Sequence, residues 1–337
     1  MVTRIGINGF GRIGRLTFRA IKKYHPDELE VLAINDLADT ATNAHLLKHD
    51  SSYGAYPGTV ESGDGEIIVD GKKVRAFSEK EPNKIPWRDY GVDIVIESTG
   101  RFSDRAKAAL HLEGGAKRVI ISTTSSNADL TVVMGVNHKM YQPREHIVIS
   151  NASCTTNCVT PMVKVLFDNF GIEKALINTV HAYTNDQSLL DIYHKDLRRA
   201  RSAAMSIIPT TTGAAKAVAQ VIPELKGLIH GISLRVPVAS VSIADVTAIV
   251  KRDVTTEEVN AALEAAAGAE LKGILSFCKE ELVGADFKGD PASCIIDAPS
   301  TMVIAGNLVK VLGWYDNEWG YSTRLGDLAA YMGTLGF

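Results

Sequence analysis

The chain has 337 residues, 45% of them apolar, and a formal net charge of -3. That length can bury a large core and usually divides into two domains. The weak negative charge offers no field that would draw in nucleic acid or an acidic membrane, so neither is expected as a partner. Four cysteines, two of them in a C-x3-C pair, do not make a disulfide framework. Each is read as a thiol in a reducing compartment, and the chain is expected to be cytoplasmic. No apolar run approaches the length of a membrane span, and the first β-like run is too brief and too soon followed by glycines to be a secretory leader.

In chain order, Thr3–Asn8 reads as a short apolar strand, residues 13–23 as a helix after a glycine turn, and residues 31–34 as a second strand ending on Asn35-Asp36. That is one βαβ unit. Residues 93–96, Arg118–Ile121 and 146–149 are continuously apolar, as expected of strands covered on both faces. A capped segment, residues 103–112, reads as a crossover helix between two of them. The first half is therefore expected to be an open, Rossmann-type parallel sheet. Beyond about residue 154, longer alternating strands (residues 241–250 and 308–314) suggest a mixed, largely antiparallel sheet with one polar face in an α+β domain. Thr255-Thr256-Glu257-Glu258 opens an Ala-rich helix and residues 316–335 form a last one. The fold class is α/β, with residues 1–153 and 318–337 as a nucleotide-binding domain and residues 154–317 as a catalytic domain.

Gly9-Phe10-Gly11-Arg12-Ile13-Gly14 fits GxGxxG directly after a strand and at a helix start, where backbone N–H groups and the helix dipole can hold a pyrophosphate. Asp36 at the end of the second strand suits an adenosine ribose and repels a 2′-phosphate, which favours NAD over NADP. Cys154 sits at the start of a helix expected over residues 155–167, where a thiolate is stabilised. Taken alone, Cys154 and Cys158 read better as core-filling thiols, and their spacing lacks the partners of a zinc site, so no metal is expected. His181 ends an apolar strand and is the candidate base, although a lone histidine at a strand end is more often structural. Arg198, Arg199 and Arg235, with the hydroxyls of Thr210-Thr211-Thr212 and Gly213 at a helix start, are candidate anion binders.

Together, the stretch from Ile7 to Arg15, the block Ser150-Asn151-Ala152-Ser153-Cys154-Thr155-Thr156-Asn157, His181 with Thr184-Asn185-Asp186-Gln187, and Trp314 to Tyr321 closely resemble the glyceraldehyde-3-phosphate dehydrogenase family, nearly end to end. The resemblance implies an NAD-dependent phosphorylating aldehyde dehydrogenase that converts glyceraldehyde 3-phosphate and inorganic phosphate to 1,3-bisphosphoglycerate. Cys154 would be its nucleophile and His181 its base. It implies phosphate contacts from Ser153, Thr155, Thr184, Arg199, Thr212, Gly213 and Arg235, with Arg199 preferred to Arg198. Cofactor contacts would come from Gly9, Gly11, Arg12, Ile13, Gly14, Asp36, Lys80, Ser122 and Asn317. It also implies a homotetramer, with residues 183–207 lining a neighbouring subunit's cofactor site.

The chain departs from the family pattern at Ser122-Thr123-Thr124-Ser125-Ser126-Asn127 and at Ser188. Two rivals are weighed. Erythrose-4-phosphate dehydrogenase shares the cysteine and histidine, but Thr184 and Thr212-Gly213-Ala214-Ala215-Lys216 favour the triose phosphate. A non-catalytic nucleotide- or RNA-binding protein is disfavoured by the intact cysteine, histidine and arginines.

Overall fold

The computed structural model describes residues 2–337. They cluster into two units. The first holds the residues up to Val132 with His138–Ala152 and Ser322–Phe337; the second holds Val133–Asn137 and Ser153–Tyr321.

The first unit contains β1 (Thr3–Asn8), α1 (Arg12–Tyr24), β2 (Leu29–Asn35), α2 (Thr40–Lys48), the short pair β3 (His49–Asp50) and β4 (Gly54–Ala55), β5 (Val60–Gly63), β6 (Glu66–Val69) and β7 (Lys72–Phe77). It continues with β8 (Ile94–Glu97), α3 (Arg105–Ala108), α4 (Leu110–Glu113), β9 (Arg118–Ile121), β10 (Leu130–Thr131) and β11 (Val148–Ser150). The sheet order is β10-β11-β9-β8-β1-β2-β7-β6-β5. Every pairing from β10 to β7 is parallel. This is the Rossmann-type arrangement expected, and its strands are apolar because both faces are covered: Ile5, Ile7, Ile94, Ile96 and Ile120 are fully buried.

The last two strands add something the sequence reading passed over. β5, β6 and β7 form an antiparallel edge. Its connections turn on Gly65 (φ 63°) and on Asp70-Gly71 (φ 52° and 75°), the Asp-Gly signature of a tight hairpin. The expected crossover helix over residues 103–112 is broken into α3 and α4 at Ala109, and Asp104 caps α3 by accepting from the N–H groups of Ala106 and Lys107. The unusual segment after β9 is tied to this cap. The Asn127 side chain accepts from the Arg105 N–H at 2.9 Å and donates to Asp104 at 2.6 Å, while Ser150 Oγ donates to the Thr123 carbonyl at 2.7 Å.

The second unit contains α5 (Cys154–Phe170), β12 (Ile172–Ala182), β13 (Ile208–Thr211), α6 (Ala214–Val221), β14 (Ile229–Val236), β15 (Ser242–Val250), α7 (Thr256–Gly268), β16 (Leu275–Cys278), β17 (Cys294–Asp297), β18 (Met302–Ile304) and β19 (Leu308–Tyr315). A last helix, α8 (Trp319–Leu335), begins among its residues. The sheet runs β13-β14-β12-β15-β19-β17-β16, with β18 added on β19. β12 pairs with β14 in parallel and β16 with β17 in parallel; the other pairs are antiparallel. This is the mixed sheet expected. β15 alternates buried and half-buried residues along its whole length, and α5 covers the buried face of β15, β17 and β19. α7 opens on a reciprocal cap, in which Thr255 Oγ1 accepts from the Glu258 N–H and the Glu258 carboxylate accepts from the Thr255 N–H.

Candidate active site

The glycine turn after β1 packs under tight constraints. Gly9 has φ 88°, and a Cβ there would lie 2.6 Å from the Thr99 amide nitrogen; a Cβ on Gly14 would lie 2.1 Å from the Gly9 carbonyl oxygen. Gly11 is different. A Cβ there meets nothing within 4 Å, and as N-cap of α1 it has no side chain to satisfy the helix's first N–H groups. Two glycines thus let strand and helix close together, and the third leaves free space at a helix N-terminus, which fits an anion such as a pyrophosphate.

A cleft of about 730 Å³ in the first unit is lined by Gly9, Gly11, Asp36 and Lys80 from the expected cofactor set, together with Asn8, Asn35, Glu79, Ser98, Thr99 and Arg101. Asp36 is held by the Phe10 N–H at 2.7 Å and the Ala38 N–H at 3.0 Å. Arg12 is turned to an ion pair with Asp50 and lies over the Tyr53 ring, 5.7 Å from its centroid. Arg12, Ile13, Gly14, Ser122 and Asn317 of the expected set do not line the cleft. The Ser122 N–H donates to the Glu97 carbonyl, and Asn317 belongs to the second unit, where it accepts from Ser242 Oγ at 3.0 Å.

The cleft floor rests on a buried network that sequence reasoning missed. Trp87 Nε1 donates to His111 Nδ1 at 3.0 Å, so the His111 proton sits on Nε2 and is donated to Glu97 at 3.0 Å. The same Glu97 oxygen accepts from the Asn8 amide at 2.5 Å, and Asn8 in turn accepts from Asn35 at 2.8 Å. The chain orients two cleft-lining amides from behind.

In the second unit, Cys154 is the first residue of α5. Ala152 adopts φ 54° just before it, a left-handed conformation that an L side chain rarely takes, and Ser153 caps the helix by accepting from the Thr156 N–H at 3.1 Å. β12 carries His181 to the same place. Cys154 Sγ lies 3.4 Å from His181 Nε2, closing a gap of 27 residues in the chain. His181 Nδ1 lies 2.6 Å from the Ala182 carbonyl oxygen, which can only accept, so the ring proton is on Nδ1 and the Nε2 lone pair faces the thiol.

Burial, followed by the neighbouring Arg235 charge, lowers the imidazole pKa to about 3. The histidine is therefore a neutral base at ordinary pH. Burial also pushes the Cys154 thiol up, although the residue keeps some exposure, while Arg235 and hydrogen bonds from Thr155 pull it down. The sequence reading expected a depressed thiol. In the folded chain burial outweighs the helix-end contacts, so the pair rests as thiol and imidazole.

Arg235, from the end of β14, approaches from behind the histidine. Its Nη1 lies 3.1 Å from His181 Nδ1 and donates to the Ala182 carbonyl at 3.2 Å and to Thr184 Oγ1 at 3.3 Å. Its Nε is buried without a partner among the described residues. A buried guanidinium N–H left open is a standing site for an anion. Arg199 pairs with Asp186 and donates to Thr210 Oγ1 at 2.9 Å, and its charge acts on both His181 and Arg235. Arg198 instead reaches the Pro209 carbonyl at 3.4 Å. Thr212 caps the amide of Ala214 at 3.2 Å, and Gly213 is exposed with free space around it, at the start of α6.

One expected phosphate contact is otherwise engaged. The Thr155 hydroxyl bonds to Tyr315 at 2.9 Å, and the same phenol reaches Thr179 at 2.7 Å. Tyr315 is itself buried and packs edge-on to the His181 ring, with centroids 6.0 Å apart. It joins the helix of the thiol to the strand of the histidine. The inward register of β19, which alternates along its length, was the available signal for it.

The fold and site define a class: an NAD-binding α/β dehydrogenase with a thiol–imidazole pair. Residues 3–105 match the NAD binding domain of glyceraldehyde 3-phosphate dehydrogenase, and residues 153–317 match that family's C-terminal domain. The chain is 57% identical over 336 residues to glyceraldehyde-3-phosphate dehydrogenase of Geobacillus stearothermophilus, covering 100% of both chains. It is 56% identical over 335 residues to glyceraldehyde-3-phosphate dehydrogenase 1 of Bacillus cereus, covering 99% of this chain and 100% of the relative. The Bacillus subtilis glyceraldehyde-3-phosphate dehydrogenase 1 is 54% identical over 336 residues, covering 100% of both chains. The chain belongs to the glyceraldehyde-3-phosphate dehydrogenase family.

Proposed function

We infer that this protein oxidises glyceraldehyde 3-phosphate in the presence of inorganic phosphate, with NAD as acceptor, and forms 1,3-bisphosphoglycerate. The observation that carries this reading is the 3.4 Å approach of Cys154 Sγ to His181 Nε2, with Arg235 immediately behind the ring. As Cys154 attacks the aldehyde carbon, its proton passes through the neutral His181 to the carbonyl oxygen, giving a thiohemiacetal. NAD, when bound, accepts the hydride that leaves that carbon. His181 takes the hydroxyl proton as that hydride leaves, and a thioester remains on Cys154. Inorganic phosphate then attacks the thioester, which releases the acyl phosphate, and the Cys154 thiolate takes back the proton held by His181.

Arg199 and Arg235, with Thr184, Thr212, Gly213 and Ser153, would hold the two phosphates, so binding at a remote group positions the reacting carbon. Support for Arg235 is its unpartnered Nε; support for Arg199 over Arg198 is its electrostatic reach to His181. Thr155 would serve through Tyr315 and the cysteine more than through its own hydroxyl. Gly9, Gly11, Arg12, Ile13, Gly14, Asp36 and Lys80 would hold NAD, with Ser122 and Asn317 completing the set that the family resemblance implies.

A homotetramer is part of this proposal. In the segment 183–207, Leu189, Leu190, Ile192, Tyr193, Leu197, Met205 and Ile207 are all exposed apolar residues, a patch of the kind that contact between copies covers. A cytoplasmic setting suits the four free cysteines. No described helix is long and apolar enough to cross a membrane.

The test is NADH formation from glyceraldehyde 3-phosphate, with and without inorganic phosphate, repeated with NADP and with erythrose 4-phosphate. Phosphate-dependent turnover with NAD and the triose is expected. Turnover that ignores phosphate, or that prefers the tetrose, would defeat the assignment.

A further inference from the structure

Two buried thiols take no part in the reaction just described. Cys158 on α5 and Cys294 at the start of β17 are both 0% exposed. They meet at Gly313 of β19. The Cys158 thiol donates to the Gly313 carbonyl at 3.6 Å, and a Cβ on Gly313 would come within 2.6 Å of Cys294 Sγ and 2.8 Å of Met162 Sδ. The absence of a side chain at this one position makes room for the sulfurs. Burial, followed by the influence of Cys294, raises the Cys158 thiol well above its ordinary pKa. Cys154 lies four residues before Cys158 on the same helix, so its sulfur shares that helix face. Of the three, Cys154 is partly exposed and the other two are buried.

We propose that Cys158 and Cys294 are a redox-active pair that takes over the oxidation of Cys154 by a hydroperoxide and returns Cys154 to the thiol. This rests on the reading of Cys154 as the accessible, reactive thiol. A hydroperoxide reaches Cys154 first, because the other two sulfurs have no exposed surface. The Cys154 sulfur attacks one peroxide oxygen and becomes a sulfenic acid, and the other oxygen leaves as water or an alcohol. The Cys158 sulfur then bonds to the Cys154 sulfur, and its proton leaves with the sulfenic hydroxyl as a water molecule. Cys294 next gives up its proton and attacks the Cys158 sulfur, forming the Cys158–Cys294 bond and releasing Cys154 as a thiolate, which takes up that proton. Overall, two thiols are oxidised to a disulfide and one peroxide is reduced.

The first exchange is the demanding step. Cβ atoms four apart on a helix are roughly 5–6 Å apart, against about 3.5–4.5 Å in a disulfide. The first turn of α5 must therefore shift. Cys154 is the first residue of that helix, where the fewest backbone bonds resist the movement. The second exchange joins two thiols that flank the same glycine, Gly313. Burial holds Cys158 as a thiol until the sulfenic acid forms, which keeps the pair silent during turnover.

The experiment treats the full-length enzyme with one equivalent of hydrogen peroxide, alkylates it with iodoacetamide, and maps peptides without reduction while following dehydrogenase activity. The expected result is a peptide linked through Cys158 and Cys294, with Cys154 alkylatable and most activity kept before alkylation. Cys294→Ser and Cys294→Ala should keep the basal rate and the melting temperature. Both should lose activity several-fold faster under peroxide, with Cys154 trapped as a bond to Cys158 or as sulfinic acid. Selective alkylation of Cys154 in untreated enzyme, with no Cys158–Cys294 peptide after peroxide and equal inactivation of all three proteins, overturns the relay alone. If iodoacetamide does not select Cys154 in untreated enzyme, the reactive-thiol reading falls and the relay falls with it.

Discussion

The nucleotide cleft of the first unit and the thiol site of the second are built on different principles. The cleft depends on what is missing from the chain: side chains at Gly9 and Gly14, whose Cβ atoms would collide with backbone at 2.6 and 2.1 Å. The two glycines lie in one turn between β1 and α1. The thiol site depends on what distant segments bring together. Cys154 and His181 are 27 residues apart, His181 and Arg235 are 54 apart, and Thr155 and Tyr315 are 160 apart. A local motif can be damaged by adding a methyl group, whereas an assembled site is damaged by removing a contact.

The largest effect that would sharpen this contrast lies at the assembled site. Cys154→Ser should abolish dehydrogenase turnover while NAD binding, measured by fluorescence quenching, survives, because a serine hydroxyl has no accessible anionic form there. Near-normal turnover would end the nucleophile assignment. His181→Asn should lower kcat by about 10²–10⁴-fold, the usual span for a positioned acid–base group. The pH profile adds a sharper reading. With the imidazole pKa lowered to about 3, His181 stays in its basic form as pH falls through the ordinary histidine range and is lost as a base only near pH 3. No inflection near 6.5 should therefore come from this residue. One that His181→Asn removes would show that burial does not hold the ring neutral.

Next in size is a pair of substitutions in the glycine turn. Gly14→Ala should destabilise the first unit by about 1–3 kcal/mol, the scale of overpacking against fixed backbone. Gly11→Ala should leave the melting temperature nearly unchanged and weaken NAD binding, since its Cβ meets no protein atom. Equal stability losses at both positions would undo the distinction between packing glycine and ligand-facing glycine. The smallest effect is expected from Tyr315→Phe. It removes the phenol that joins Thr155 and Thr179 and should cost about 0.5–1.5 kcal/mol for each net hydrogen bond lost. A change in kcat larger than in melting temperature would mark the tyrosine as a positioning residue for His181.

Much of this was legible in the chain. The continuously apolar strands announced a sheet buried on both faces, and Gly9 and Gly11 of the GxGxxG turn line one cleft with Asp36. Cys154 at a helix start and His181 at a strand end were readable as reactive types in suitable places. The antiparallel edge of β5, β6 and β7 went unread although Asp64-Gly65 and Asp70-Gly71 signalled it, because the strands are short and partly polar. The Glu97–His111–Trp87 network was not legible at all. Its members are scattered through the first unit, and only burial forces them to find one another.

The sequence by itself determined where the backbone had to turn, cap and pass close to itself, because those demands are met by residue type within a few positions. Only the tertiary structure decided the protonation of the reactive pair. Burial raises a thiol and lowers an imidazole, and that is a property of everything packed around them, including an arginine from another strand. It also decided that Cys158 and Cys294, 136 residues apart by their numbers, would share the space left by Gly313.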